Sequence, residues 1–416
     1  MRFDHFPRRV ARASCPCTGR HWRDASATPT PLVALVLSFL LLGPQAARAQ
    51  GLPLADVRLG PTTTRRLAEH PTHRGHTAIQ RQAKLLFGKV DYSIKYSACT
   101  DKSHAPGVAP IEGYLGMPEP GTCNWYHSGF LFLAINGRDI GTTPLSSMVA
   151  AERGDRAILD LVWHAPQASV RVRFVGLPGQ DCLFSRIELE PNEEIRSIEL
   201  RLTCYPSYFT SHFNRQGARR IRTPGALVEE GRTAKLPAKN NWWALYYDEV
   251  FDLSKGEGEG PCAMLLLPEQ GGEISFNPAA YAVGTTIRYP AGARRLDLAF
   301  WDFKGLTNAE ALARVKSAAE RTRAELARAD FTPQAVKTFD AATLRAELER
   351  AMRSPAVRSA LGTKGAEVQT WLARYGPALE QKTGHRIEAE ERLLESAQRY
   401  ERFSWEVKLA ELLSGL

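Results

Sequence analysis

The chain lacks the compact signatures that usually announce a reaction. No GxSxG occurs in its 416 residues, and His127-Ser128-Gly129 has no glycine frame to present a serine nucleophile. No HExxH and no CxxC is present, and His104, His127, His164 and His212 never fall at metal-ligand spacing. The acidic residues never reach the density of a calcium loop. The GEGEG stretch (residues 256–260) matches neither a phosphate loop nor a dinucleotide turn and reads as a hairpin tip. No metal and no cofactor is therefore expected. No repeat of 20 to 50 residues is evident, and the C-terminal third has no sustained heptad, which excludes a solenoid and a coiled coil.

Long apolar runs are also missing, with one exception. LVALVLSFLLLG (residues 32–43) is charge-free, follows Arg8, Arg9, Arg12, Arg20 and Arg23, and precedes Ala47-Arg48-Ala49. A basic flank, a short apolar core and an Ala-x-Ala site define a secretory signal, so residues 1–49 are expected to be removed and the protein exported to the periplasm or medium. The run is short against the roughly 20 residues that span a bilayer, so no membrane span is expected after cleavage. Removing residues 1–49 takes away seven Arg and two Asp and lowers the formal charge from +9 to +4. No nucleic-acid partner is expected at that charge without a concentrated basic face.

Five cysteines then remain: Cys99, Cys123, Cys182, Cys204 and Cys262. Export permits disulfides. Cys99 and Cys123 flank a Pro- and Gly-rich segment with little apolar periodicity, where a bridge would remove roughly 3 kcal/mol of loop-closure entropy from the unfolded chain, so that pair is expected first. Cys182 with Cys204 is the alternative, if their strands are neighbours.

What the chain does have is period-two alternation from about residue 84 to 303, within a β-sandwich domain expected over residues 84–305. VRVRFVG (residues 170–176) sets Val170, Val172 and Phe174 on one face and Arg171 and Arg173 on the other, as in a half-buried strand. SRIELE and SIELRLTC, joined by PNEE, read as a hairpin, and Asn136-Gly137 in FLFLAINGRDIG is a strong two-residue turn. Many short strands without intervening helices predict an antiparallel β-sandwich, in its larger form a two-sheet supersandwich, after a lead-in at residues 50–83. At Thr307-Asn308-Ala309-Glu310 a capping box opens helical periodicity. Residues 306–416 are thus expected to be an α-helical segment, docked on the sandwich or on a protein partner, with Gly376-Pro377 breaking a late helix.

Two aromatic clusters are the candidate sites. NNWWALYYDEVF (residues 240–251) places Trp242, Tyr246 and Asp248 on one strand face and Trp243, Tyr247 and Glu249 on the other, with Asn240 before them. CNWYHSG (residues 123–129) adds Asn124, Trp125, Tyr126 and His127. Exposed Trp and Tyr beside amides and carboxylates suit a sugar, whose C–H faces pack on rings while its hydroxyls need polar partners. Residues 205–239 form a long stretch of weak periodicity, first aromatic (Tyr205, Tyr208, Phe209, Phe213) and then basic (Arg215, Arg219, Arg220, Arg222). Arg219, Arg220 and Arg222 are the anion-binding candidates.

The first functional expectation is an exported, non-catalytic protein binding a polysaccharide or another extracellular polymer. The second is a carbohydrate-active enzyme, a hydrolase or epimerase, using two carboxylates among Asp248, Glu249, Asp252, Asp297 and Asp302, or His127. The third is an assembly protein whose helical tail binds a protein partner. No family motif transfers residues. The strand density and aromatic content resemble large β-sandwich domains of carbohydrate-active proteins, a likeness of fold alone.

Overall fold

A computed structural model describes residues 55–67, 75–88, 90–99, 113–207, 218–256, 258–379 and 385–414. The expected signal peptide, its cleavage site, most of the segment between Cys99 and Cys123, and Tyr208, Phe209, Phe213, Arg215, His104 and His212 lie outside them.

Among the described residues, twenty strands precede the C-terminal helices. They are β1 (Asp56–Leu59), β2 (Thr63–Leu67), β3 (His76–Leu86), β4 (Asp91–Cys99), β5 (Tyr114–Glu119), β6 (Leu131–Ile135), β7 (Arg138–Asp139), β8 (Ser147–Glu152), β9 (Ala157–His164) and β10 (Ala168–Gly176). There follow β11 (Cys182–Pro191), β12 (Ile198–Cys204), β13 (Arg219–Arg222), β14 (Leu227–Glu229), β15 (Ala234–Pro237), β16 (Trp243–Asp248), β17 (Cys262–Leu266), β18 (Glu273–Pro278), β19 (Val283–Tyr289) and β20 (Arg295–Asp302). All pairings are antiparallel, in two sheets. The larger has eleven strands in the order β1-β3-β4-β5-β6-β12-β19-β18-β15, with β2 on β3 and β7 on β6; the smaller has nine, in the order β14-β13-β16-β17-β20-β11-β10-β9-β8. The fold is the expected antiparallel β-sandwich with a helical C-terminus, and the lead-in contributes strands to its larger sheet.

Alternation explains the core. In β12, Ile198, Leu200, Leu202 and Cys204 are buried while Glu199, Arg201 and Thr203 face away. Leu131, Leu133 and Ile135 of β6 do the same beside them, and Val172 and Phe174 of β10 approach from the other sheet. The Asn136-Gly137 turn forms, both residues at positive φ (53° and 74°), between β6 and β7. The hairpin expected across PNEE does not: β11 pairs with β10 and β20 in the smaller sheet, whereas β12 pairs with β6 and β19 in the larger. The exposed link between them carries the chain from one layer to the other, a step that local alternation cannot distinguish from a turn back.

Six helices follow among the described residues: α1 (Asn308–Arg328), α2 (Gln334–Thr338), α3 (Ala341–Ala351), α4 (Pro355–Leu361), α5 (Thr363–Leu379) and α6 (Arg386–Ser414). Thr307 and Glu310 form the capping box, and Val315, Ala319, Thr322 and Leu326 of α1 are buried against the sandwich. Helix α5 runs through Gly376 and Pro377 instead of breaking there. Helix α6 lies over β8 and β10 and continues into a second small core with α3, α4 and α5.

Docking of α6 corrects the reading of β10 as half-exposed. Arg171 and Arg173 are fully covered, and both reach Glu390 of α6, at 2.7 and 2.8 Å. Asp160 of β9 meets Arg173 at 2.5 Å, so the buried cations are matched by carboxylates from both layers. Burial works against the Glu390 carboxylate, but Arg171, Arg173 and Arg386 hold its pKa below the ordinary value. Residues 53–416 form one compact unit. Among the described residues no helix is long and apolar enough to cross a membrane.

Candidate functional site

The aromatic strand β16 sits inside the smaller sheet, between β13 and β17, and both of its faces are covered. Tyr246 is 0% exposed; its hydroxyl lies 2.9 Å from Thr285 Oγ1 of the opposite sheet, and its ring meets Trp125 edge-on. Trp242 and Trp243 are 9% and 6% exposed, with Arg323 of α1 stacked 4.9 Å over Trp242. These side chains are core and form no stacking platform. Tyr247 is half-buried and Asn240 is exposed.

The other expected groups are also engaged. Trp125 is 0% exposed and donates its indole N–H to Trp301 O; Asn124 is equally buried. Asp248 accepts from the backbone N–H groups of Ala218 and Val250, and Glu249 pairs with Arg220 at 3.0 Å. Arg219 is fully buried beside Asp248 and donates to Pro206 O, so neither Arg219 nor Arg220 is a free anion hook; Arg222 is half-buried. Asp297 is held by Arg186, Arg295 and Gln270, and Asp252 caps a short turn. No disulfide links the described cysteines. Cys99 Sγ lies 3.6 Å from His76 Nδ1, and Cys123 is buried beside Thr122. Cys182 and Cys204 stand on strands of different sheets, so that alternative pairing lacks the neighbouring strands it needs.

Asp302 is the one carboxylate of the set with unusual chemistry. It closes a buried junction, accepting from Asn124 Nδ2 at 2.8 Å, Lys304 N at 3.0 Å and Gly121 N at 3.2 Å. Burial pushes its carboxyl up to about 7 against the Asn124 donor, and the neighbouring Glu259 adds to the rise.

A different surface gathers polar and aromatic groups around the exposed Arg201 and Tyr281. On the outer side of the larger sheet, Lys95 of β4 faces away from the core opposite Gly116 of β5, and Arg201 of β12 lies opposite Phe132 of β6. The Arg201 guanidinium stacks 4.4 Å over the Phe132 ring. The loop after β5 lies across this side: Tyr126 N donates to Thr203 O, and Phe130 N to Leu115 O. Trp125 therefore points into the core while Tyr126 and His127 point out. The loop can descend only because residue 116 is glycine, where an added Cβ would stand 1.9 Å from His127 O.

Tyr126 meets Tyr205 edge-on at 4.2 Å, Tyr205 meets Tyr281 at 4.9 Å, and His127 packs against Tyr126 at 4.9 Å. Tyr281, in the β18–β19 turn, is 53% exposed. Perturbed groups concentrate here. Burial lowers the His127 pKa, with Lys95 adding to it, while the bond to Thr122 O opposes. Since Thr122 O only accepts, His127 Nδ1 carries the proton in that 2.8 Å bond, and Nε2 holds the lone pair in the neutral ring. Burial and Arg65 lower Lys95. Burial raises Tyr126, and burial with both neighbouring phenols raises Tyr205. Burial raises Asp139 as well, against Gly141 N and Arg201. Such clustering marks candidate functional sites.

The sequence named Tyr126, His127 and Tyr205, but not Lys95, Arg201 or Tyr281. Lys95 and Arg201 were legible only as polar positions in alternating strands, which ordinarily face solvent. Among the described residues no group of three or more His, Cys, Asp or Glu is placed to hold a metal ion.

No protein-family model matches the chain, and no curated protein matches it. Among solved structures, the GH36 α-galactosidase AgaB from Geobacillus stearothermophilus is similar at 11% identity and a TM-score of 0.29, over 54% of this chain and 40% of that one. A putative aldose 1-epimerase from Klebsiella pneumoniae is similar at 10% identity and a TM-score of 0.31, over 67% of this chain and 97% of that one. The matched region thus spans well under half of the galactosidase. Likenesses at this level carry no argument about activity.

Proposed function

We propose that the outer face of the larger sheet binds a carbohydrate polymer, and that the protein does so after export. The observation that supports this reading is the exposed Tyr281 with half-buried Tyr126 and His127, held by the buried Tyr205 between the two phenols and flanked by Lys95 and Arg201. Rings with polar tips offer a sugar both a packing surface and hydrogen-bond partners. The two cations favour acidic sugars, whose carboxylate or sulfate groups complete the charge. Co-sedimentation of the purified protein with neutral, uronic and sulfated polysaccharides tests it. Retention by an acidic polymer that is lost in Tyr281→Ala and Arg201→Ala supports the reading; equal retention of both variants overturns it.

A second reading, catalysis at the same face, is favoured by the His127 tautomer. A neutral imidazole with Nδ1 tied to a carbonyl presents Nε2 as a base. Assaying the same supernatants for new chain ends separates the two readings, since binding without new ends leaves His127 a ligand contact.

A further inference from the structure

The C-terminal half of α6 is apolar on two sides. Phe403, Val407 and Ala410 are buried in the small helical core beside Val368 and Trp371. Trp405, Leu409, Leu412 and Leu413, at steps of four, three and one, fall together on another side of the helix and are 68%, 50%, 67% and 55% exposed. They are four of the seven large apolar side chains exposed among the described residues, so they form a patch and not a scatter of single side chains. The other six described tryptophans are all buried.

Trp405 also lines an open cleft of about 560 Å³ between α6 and the turn after β8, together with Arg153, Gln398, Arg399, Glu401 and Arg402. Three guanidiniums against one carboxylate make this cleft cationic. Arg153 is anchored by Val57 O at 2.9 Å and by Asp56 at 3.5 Å, and Arg402 by Glu367 and the Phe403 ring. Both side chains are still about half exposed, and a guanidinium carries five donors, so anchoring fixes each fork without using it up.

We infer that this side of α6 rests on an anionic lipid surface. Trp405 and the three leucines enter the boundary between headgroups and acyl chains, while Arg153, Arg399 and Arg402 take the lipid phosphates. The patch and the cleft are continuous through Trp405, so apolar and cationic groups meet in one strip, as a charged headgroup layer requires. Four side chains are also little area against the roughly 1,200 Å² that stable pairing with a second copy needs. The helix lies on the surface and does not cross it, being too polar for a span. The inference does not depend on what the outer face of the larger sheet binds.

The test is a titration of the full chain with vesicles whose acyl chains carry bromine, a contact quencher of tryptophan emission. Vesicles of phosphatidylcholine alone are compared with vesicles that also contain phosphatidylglycerol. Wild type is compared with Trp405→Phe, so that the difference reports this one ring whatever the apolar run at residues 32–43 does. The expected result is quenching on anionic vesicles that Trp405→Phe lacks, weaker at high salt and on phosphatidylcholine alone. A Leu409→Ser, Leu412→Ser, Leu413→Ser triple variant should fall to the level of Trp405→Phe. Arg153→Gln and Arg402→Gln should each need about fivefold more anionic lipid for half-maximal quenching. All these positions are exposed, so the variants should melt with the wild type. Equal quenching of wild type and Trp405→Phe on anionic vesicles overturns the inference, as does a triple variant quenched like the wild type or equal quenching on neutral and anionic vesicles. A wild-type dimer in sedimentation that the triple variant fails to form assigns the patch to a second copy and also overturns it.

Discussion

Two aromatic regions of this molecule have opposite fates. At Trp242 and along β16 the sequence packs two Trp and two Tyr into six positions, and the fold buries three of the four between the opposite sheet and α1. On the outer side Tyr126, Tyr205 and Tyr281 come from three separate elements, far apart in the chain, and meet only through the order β5-β6-β12-β19; Tyr205 is buried between the other two, Tyr126 is half-buried and Tyr281 exposed. Local density of large rings thus reports a strand that must fill space on both sides. A site is assembled by topology, one residue per element, and leaves a weak local trace.

The comparison can be broken most severely from the core side. Trp125→Ala removes the ring that packs on Phe130, Tyr246 and Phe300, and should cost about 3–5 kcal/mol in denaturant unfolding. Near-wild-type stability would mean that the CNWYHSG loop is not anchored as described.

The Asp302 junction gives the next effect. Its pKa is raised from 3.8 to about 7, so between those values the folded protein holds a proton that the unfolded chain has lost. The stability that Asp302 contributes is therefore fully present below about pH 4, falls as pH rises from about 4 to about 7, and is lost above. The loss is on the order of 2–4 kcal/mol. Asp302→Asn, which imitates the protonated acid, should flatten the unfolding free energy across that window; an unchanged slope would clear Asp302 of the effect.

Gly116→Ala sharpens the contrast, because its Cβ would collide with His127 O on the outer side of the larger sheet. About 1–3 kcal/mol of stability and most ligand retention should be lost, with the His127 imidazole resonances shifted. The mildest change is Tyr281→Ala. At this exposed position stability should stay within about 0.5 kcal/mol while affinity falls about 3- to 10-fold.

The fold was legible where one rule acts alone. The alternation of β6 and β12, the Asn136-Gly137 turn and the Thr307 capping box all form as the local chemistry requires. Reading failed where distant parts decide. PNEE changes sheets instead of turning back, and Arg171 and Arg173 look like a wet face until Glu390, more than 200 residues on, covers them. The candidate site was half legible: CNWYHSG supplies Tyr126 and His127, but nothing local distinguishes Lys95 or Arg201 from any outward lysine or arginine of a strand.

The most direct test is a set of binding isotherms on one acidic polysaccharide for the wild type, Tyr281→Ala, Arg201→Ala and Trp243→Phe, each first shown to be folded. If the outer face is the site, the first two variants bind more weakly, Arg201→Ala also loses part of its salt dependence, and Trp243→Phe binds as the wild type does. If Trp243→Phe loses binding while Tyr281→Ala and Arg201→Ala keep it, the ligand is held at β16 and the face described here is not the site.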